Sequence, residues 1–176
     1  MAIKDKPTVV NFLKPNGFQL VINRLPFTTF FCQRVRLPDL DIPNITTGTP
    51  FIKLNYSSTE VNMGRFIASF KVDENLKNYR EIANWIKGLG FPETFEQYKD
   101  NKKAHGREAL RSDGSLIITT SSKGPNIEVK IVDMFPVSLG GFELETTSQD
   151  VEFVTATVVF SVRDMNLESI NDCEPE

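Results

Sequence analysis

Residues 65–89 join two hydrophobic periods without a break. Over residues 65–72, Phe66, Ala68, Phe70 and Val72 alternate with Ile67, Ser69 and Lys71, the period of a strand with one buried face. From there the period lengthens. Leu76, Tyr79, Ile82, Ala83, Ile86 and Leu89 fall on one face at helical spacing, while Lys77, Arg80, Glu81 and Lys87 lie away from it. This predicts a helix over residues 75–89, nearly the only one in a β-rich chain. Asn75 is placed to cap it, Asp73 and Glu74 suit the positive end of its dipole, and Gly88 and Gly90 mark its exit. One side of such a helix has to be covered by a sheet.

The flanks read as strands. Residues 17–25 and 28–36 are β-rich and separated by Pro26-Phe27, which predicts an antiparallel hairpin. Residues 51–56 make a short strand, and residues 57–64 are polar enough to form a turn or the tip of a long hairpin. In the last third, strands are expected over residues 115–121 and 126–132, followed by a bend at 135–142 and a long strand over 151–163. In that last strand Val154, Ala156, Val158, Phe160 and Val162 share one face. Thr155, Thr157 and Ser161 share the other with Val151, Phe153 and Val159.

Three segments fit neither period. Residues 1–16, with three lysines, two prolines and the apolar run Val9-Val10-Asn11-Phe12-Leu13, read as an extended arm that needs something to pack on. Residues 37–50 hold three prolines and one glycine yet keep Leu40, Ile42 and Ile45, more aliphatics than a free surface loop spends. Residues 91–113 crowd Lys99, Asp100, Lys102, Lys103, Arg107, Glu108 and Arg111 around few apolar positions and read as a surface excursion. The expected organisation is an arm (1–16), one β domain (17–165) carrying that excursion, and a frayed acidic tail (166–176).

Composition narrows the class. A chain of 176 residues with 40% hydrophobic and 24% charged residues is ordinary for one globular domain. A net charge of −3 and a pI near 5.3 remove the footprint of a protein that grips phosphates over its whole surface. The apolar runs are strand-sized and the first residues lack a secretory signal, which predicts no membrane span and a cytosolic site of synthesis. Fourteen phenylalanines against one tryptophan and three tyrosines suit a core and a seam between subunits.

Candidate chemistry is thin. Cys32 lies in an apolar run and Cys173 in an acidic stretch, so the pair gives neither a disulfide framework nor metal-ligand spacing. His105 is the only histidine, without a second ligand at a zinc-like distance or a serine-centred nucleophile elbow to serve. Glu93 and Glu96 have the spacing of an exposed helix face as much as of a catalytic carboxylate pair. Gly140-Gly141 lacks the glycine pattern and helix start of a phosphate cradle and reads as a turn. The basic cluster Lys99, Lys102, Lys103, Arg107 and Arg111 has only Tyr98 for base stacking, and reads as a solvated or subunit-facing patch. No cofactor, no metal and no enzymatic activity are expected.

The order of these pieces resembles the tail-tube family of contractile-tailed bacteriophages, with the tube initiators of the baseplate. The run from Phe31 to Leu37-Pro38 is similar to its early strand ending in Leu-Pro. Phe66 to Val72, Asp73-Glu74-Asn75 and the stretch from Tyr79 to Trp85 resemble its central strand and helix. Met134-Phe135-Pro136-Val137-Ser138 and residues 152–162 resemble its final hairpin. About two thirds of the chain is covered, and residues 39–64 and 91–113 are hard to match.

The resemblance implies an antiparallel β-sandwich or rolled barrel with one flanking helix. It implies self-association into hexameric rings that stack as a hollow tube, sheath and baseplate partners, DNA passing through the lumen, and a place in the virion after assembly in the host cytoplasm. A tube initiator or terminator of the same fold, a monomeric β-rich binding module, and a hydrolase working through Glu93 and Glu96 or His105 remain the alternatives. Stacking needs a second set of contacts, for which Leu40, Ile42, Ile45 and Phe51 are the candidates. The rival reading folds them back on their own core. Thr155, Thr157 and Ser161 are the candidates for a wet channel lining.

Overall fold

The computed structural model describes residues 12–90, 96, 99, 102–103, 106, 110–145 and 153–170. The expected arm therefore falls largely outside the described residues, as do His105, Glu93 and most of the 91–113 excursion. The elements in chain order are β1 (Phe18–Ile22), α1 (Pro26–Phe30), β2 (Cys32–Arg36), β3 (Leu40–Asp41), β4 (Asn44–Gly48) and β5 (Lys53–Ser57). They continue with β6 (Asn62–Met63), β7 (Arg65–Lys71), α2 (Lys77–Gly90), β8 (Ser112–Thr119), β9 (Pro125–Leu139), β10 (Thr155–Ser161) and β11 (Asp164–Ser169).

One antiparallel sheet holds the body together in the order β1-β8-β9-β10-β7-β2, with β11 also on β9. The strand β9 organises it. Its first part pairs with β8 on one side and β11 on the other, and its last part pairs with β10 from Phe135↔Ser161 to Leu139↔Val158. Thus β10 and β11 are two halves of one long strand, broken at Val162 and Arg163, along a single edge of β9. The kink in β9 lies opposite that break. Asp133 has φ +54, its backbone N–H donates to Asp113 Oδ1 at 2.9 Å, and its carboxylate accepts from Arg163 at 2.9 Å and Arg111 at 3.5 Å. The hydrogen bond from Arg163 holds the Asp133 carboxyl below its ordinary range. A left-handed residue costs little at an aspartate, and here it turns the sheet from one wall of the roll into the other.

Several sequence expectations change here. The hairpin expected from residues 17–25 and 28–36 does not form: Pro26 starts α1, where its fixed φ suits the first turn and its missing N–H costs nothing. Thr29 Oγ1 donates back to the Leu25 carbonyl at 2.8 Å. The two strands part, β1 to β8 and β2 to β7. The bend expected at 135–142 does not begin at 135: Phe135–Leu139 are the end of β9, where Pro136 is paired on one side with β10 and its missing donor is tolerated. The tail does not fray from residue 166: β11 pairs with β9 from Asp164↔Val132 to Ser169↔Ile127, and Lys130 Nζ meets Glu168 at 2.6 Å. The excursion ends at Ser112, which is buried at the start of β8.

The core lies inside the roll. Phe66, Ala68 and Phe70 of β7, Ala156, Val158 and Phe160 of β10, Val129, Ile131 and Met134 of β9, and Leu20 and Ile22 of β1 are buried there. Helix α2 covers the roll with one face, where Ile82 and Trp85 are buried and the Trp85 ring lies 6.2 Å from Phe160, and leaves Arg80, Asn84 and Lys87 exposed on the other. Its start differs from the expectation. Leu76 has φ +56 and precedes the helix, and Asn78, fully buried, fixes the junction in place of Asn75. Asn78 Oδ1 accepts from the backbone N–H of Asp73 (3.2 Å) and of Tyr79 (2.8 Å), and Nδ2 donates to the Lys71 carbonyl at 2.7 Å. Helix α1 ties to α2 through Thr28 Oγ1, which donates to the Asn78 carbonyl at 3.4 Å.

Candidate assembly surfaces

Residues 39–64 build a projection. Its base is the short pair β3–β6, closed by Gly64 N–H on the Asp39 carbonyl at 2.7 Å, where a Cβ on Gly64 would come within 2.8 Å of the Asp39 nitrogen. Above it β4 and β5 form a two-stranded ribbon, and the turn at its tip is at Thr49–Ile52 rather than in the polar stretch 57–64. The register sorts its side chains. Ile45↔Tyr56 and Thr47↔Leu54 lie on one face, and Asn44↔Ser57, Thr46↔Asn55 and Gly48↔Lys53 on the other. Among the described residues nothing covers the apolar face: Ile45 and Tyr56 are just over half exposed, and Phe51 at the tip is 94% exposed. Leu40 and Ile42 near the base are also more than half exposed. The four aliphatic and aromatic candidates for subunit contact thus share one projection, and they do not fold back on the core. Tyr56, Leu54 and Ile52 complete that surface and were not singled out, though the alternation that carries Leu54 and Tyr56 is visible in the sequence.

The second surface is the outward face of the β10–β7–β2 wall. Thr155 and Thr157 are exposed and Ser161 is half-buried, all three on the side away from Ala156, Val158 and Phe160. Thr157 Oγ1 lies 3.0 Å from Ser69 Oγ across the β7–β10 pair. Among the described residues two edges flank this wall: β2 pairs with β7 alone, and the Phe135–Leu139 part of β9 with β10 alone. The two ends of the sheet, β1 and β2, face each other across a cleft of about 370 Å³ lined by Leu13, Phe18, Val35, Leu37, Leu116 and Ile118.

Among the described residues the candidate chemistry is not drawn together. Glu96 is exposed, and Gly140 packs against the Thr157 backbone, with Gly140 N–H donating to the Thr157 carbonyl at 2.7 Å. Arg111 of the basic cluster is held at Asp133. Among the described residues no group of three or more His, Cys, Asp and Glu could hold a metal ion, and no helix is long and apolar enough to cross a membrane. Cys32 is half-buried in β2, and burial pushes its thiol up to about 11, with a weaker opposing pull from a backbone hydrogen bond. It stays a thiol at neutral pH, so iodoacetamide is expected to label it only slowly in the folded chain and readily after denaturation. Peptide mass spectrometry reads the difference.

No protein-family model matches the sequence, and no curated protein matches it. Solved structures do. A chain of the tube-terminating cap of the anti-feeding prophage superposes with a TM-score of 0.67 at 14% identity, over 96% of this chain and 99% of that one. The extended sheath–tube complex of an extracellular contractile injection system contains a chain with a TM-score of 0.66 at 10% identity, covering 92% and 95%. The terminator of the same system gives 0.63 at 13%, covering 91% and 99%. The chain has the tail-tube fold. At these identities the likeness concerns the path of the backbone. It does not extend to the side chains on either surface.

Proposed function

We propose that this tail-tube-fold chain is a ring-forming structural subunit of a contractile tail, stacking into the hollow tube along which DNA passes. The observation that carries the reading is the β4–β5 ribbon. A two-stranded hairpin is at best marginally stable alone in water, and this one keeps an ordered apolar face with none of the described residues of its own chain covering it. A second copy supplies the cover. The open flanks at β2 and at Phe135–Leu139 supply the other contact, edge to edge and head to tail. Such a contact closes into a ring when the rotation between neighbours completes a turn, six subunits in the tubes this chain resembles. Ring closure through those flanks turns the Thr155, Thr157 and Ser161 face toward the channel. The ribbon then reaches the next ring through Leu40, Ile42, Ile45 and Phe51, and sheath and baseplate proteins meet the outside and the end. The tube is a virion part, assembled in the host cytoplasm and free of catalytic work.

A terminator is the second reading, favoured by the superposition on a tube-terminating cap over nearly both whole chains. Copy number per particle separates the two, since a tube subunit is abundant and a cap is scarce.

The double substitution I42D/I45D is expected to abolish polymer while leaving a folded monomer, because both side chains are exposed and charge there disturbs no core. Negative-stain microscopy reads the polymer, and circular dichroism with sizing reads the monomer. Unchanged rings and stacks would remove the ribbon from the contact.

A further inference from the structure

A second apolar surface lies at the end of the wall far from the ribbon. A groove of about 610 Å³ opens there between the turn into α2, the residues after β9 and those before β10, walled by Phe31, Val72, Leu76, Phe142, Leu144 and Phe153. Leu144 is 79% and Phe153 71% exposed, and among the described residues nothing covers them. The Tyr79 ring meets Phe142 edge-on at 5.1 Å, and the Lys71 ammonium lies 4.2 Å from the Phe153 ring centre, so both rings are held in place. Leu76 stands at the rim with φ +56, a conformation that bulky side chains rarely adopt and that gathers at ligand clamps. The charge around these rings is acidic. Asp73 and Glu74 line the groove, and Glu143 and Glu145 alternate with Phe142 and Leu144, against one lysine, Lys71, among the lining residues. Among the described residues Glu74, Glu143 and Glu145 enter no ion pair.

We infer that this groove receives the ribbon tip of a second copy, with Phe51 and Ile52 entering between the rings and Lys53 meeting the acidic rim. The tip has the matching character. Phe51 and Ile52 are too exposed to lie in their own groove, and Lys53 is exposed without an acidic partner among the described residues. The topology supplies the direction. Strand β2 ends and β7 begins at the ribbon base, where Gly64 meets Asp39, whereas Phe31 before β2 and Val72 after β7 line the groove. The two surfaces thus stand at opposite ends of one antiparallel pair, roughly 20 Å apart along the seven residues of β7. A copy shifted along that pair brings its tip to the next groove and leaves a free tip at one end and a free groove at the other. Such a head-to-tail contact repeats without closing, as a stack requires, whereas ribbon against ribbon is isologous and ends at two copies. An aromatic anchor in an apolar pocket concentrates binding energy, and the opposite charge at the rim fixes register. Phe12 and Leu13 are the rival occupant, also exposed, though Leu13 already lines the cleft between β1 and β2. The inference rests on the stacking reading above for the use of the ribbon, and adds the surface that receives it.

The test mixes two full-chain variants, F51D/I52D with a disabled tip and L144D/F153D with a disabled groove. All four side chains are exposed, so both variants are expected to fold, which circular dichroism reads. Each alone is expected to lose stacking. An equal mixture is expected to pair through the groove of the first and the tip of the second and to stop there, seen as a doubling of mass in sedimentation velocity and as two layers in negative stain. A ribbon-on-ribbon contact cannot pair this mixture, since one ribbon is disabled. The rim gives the same answer without touching the groove's walls: K53E is expected to weaken stacking about tenfold, and K53E/E74K to restore most of it. No pairing in the mixture overturns the inference, as does stacking at the parent's strength by L144D/F153D or by K53E. So does loss of stacking on removal of residues 1–13 while F51D/I52D stacks normally, which would give the groove to the N-terminal segment. Rings that form but never pair in the mixture would sink this contact alone; paired single subunits without rings would sink the ring reading and leave the contact standing.

Discussion

Replacing Trp85 with alanine is expected to lower the unfolding free energy by about 3–5 kcal/mol, a large share of the roughly 5–15 kcal/mol that holds a domain folded. Trp85 is 1% exposed, its ring lies 6.2 Å from Phe160, and the Arg24 guanidinium covers it at 4.5 Å from the ring centre. It is the side chain through which α2 fills the roll. Removing it leaves a cavity between the helix and β10 that the hydrogen-bonded walls cannot collapse to fill. Trp85 Nε1 is also buried without a hydrogen-bond partner among the described residues, a cost the native chain carries. W85F removes that unpaired donor together with part of the ring, so its loss should fall well below the alanine loss. Urea unfolding followed by circular dichroism in the I42D/I45D background measures both without assembly adding to the apparent stability. Equal losses for W85A and W85F would show that shape at this position matters more than filled volume.

Trp85 also marks where the sequence was legible and where it was not. The strand–helix unit over residues 65–89 was plain, because both periods are strong and each apolar residue agrees with its neighbours: Phe66, Phe70 and Ile82 are all fully buried. The inward face of β10 was equally plain. The pairing of strands was not, because it is decided by partners far away in the chain. Nothing between residues 17 and 36 says that β1 belongs with β8, and only the turn forced by Pro26 separates it from β2. The break at Val162 and Arg163 is invisible for a similar reason. It follows from the left-handed Asp133, thirty residues earlier, and from the arginine that reaches across to it.

On the surfaces, the sequence showed that residues 37–50 hold too many aliphatics for a loop, and left open whether they turn inward. The ribbon register decides that they stand away from the core. The cations on the outward face of β2 and β7 escaped notice because they come from separate strands, Arg34 and Arg36 from one and Arg65 and Lys71 from the other. Each is isolated in the sequence, whereas the conspicuous cluster at residues 99–111 is contiguous. Net charge sums over faces that a partner meets one at a time.

Asn78 is the polar counterpart of Trp85, and Asn78→Leu is expected to cost roughly 3–5 kcal/mol, since it leaves three part-buried backbone groups unpaired, each near the low end of about 1–3 kcal/mol. The side chain is fully buried, which in a helix stripe otherwise made of Ile82, Trp85 and Gly88 looks like an error. Its amide nevertheless has a task no apolar residue can take. It joins the end of β7, at the Lys71 carbonyl, to the loop at Asp73 and the first turn of α2 at Tyr79, three backbone groups that neither the sheet nor the helix satisfies. Leucine fits the apolar surroundings and strands all three. Asn78→Asp separates the donor from the acceptor role: its carboxylate keeps both accepted bonds but sets an oxygen against the Lys71 carbonyl. Protonation restores a donor there, so the folded form raises the pKa of the introduced carboxyl above its unfolded value. The regained stability is present below the unfolded pKa and lost as the pH rises through the folded one. The native Asp133, with its lowered pKa, contributes in the opposite sense, present above the ordinary carboxylate pKa and lost as the pH falls. Thermal melts of N78D and of the parent across acid pH should therefore converge on acidification and separate toward neutrality. Curves that stay parallel would mean the Lys71 carbonyl has found another donor, and that the junction between sheet and helix does not depend on this amide.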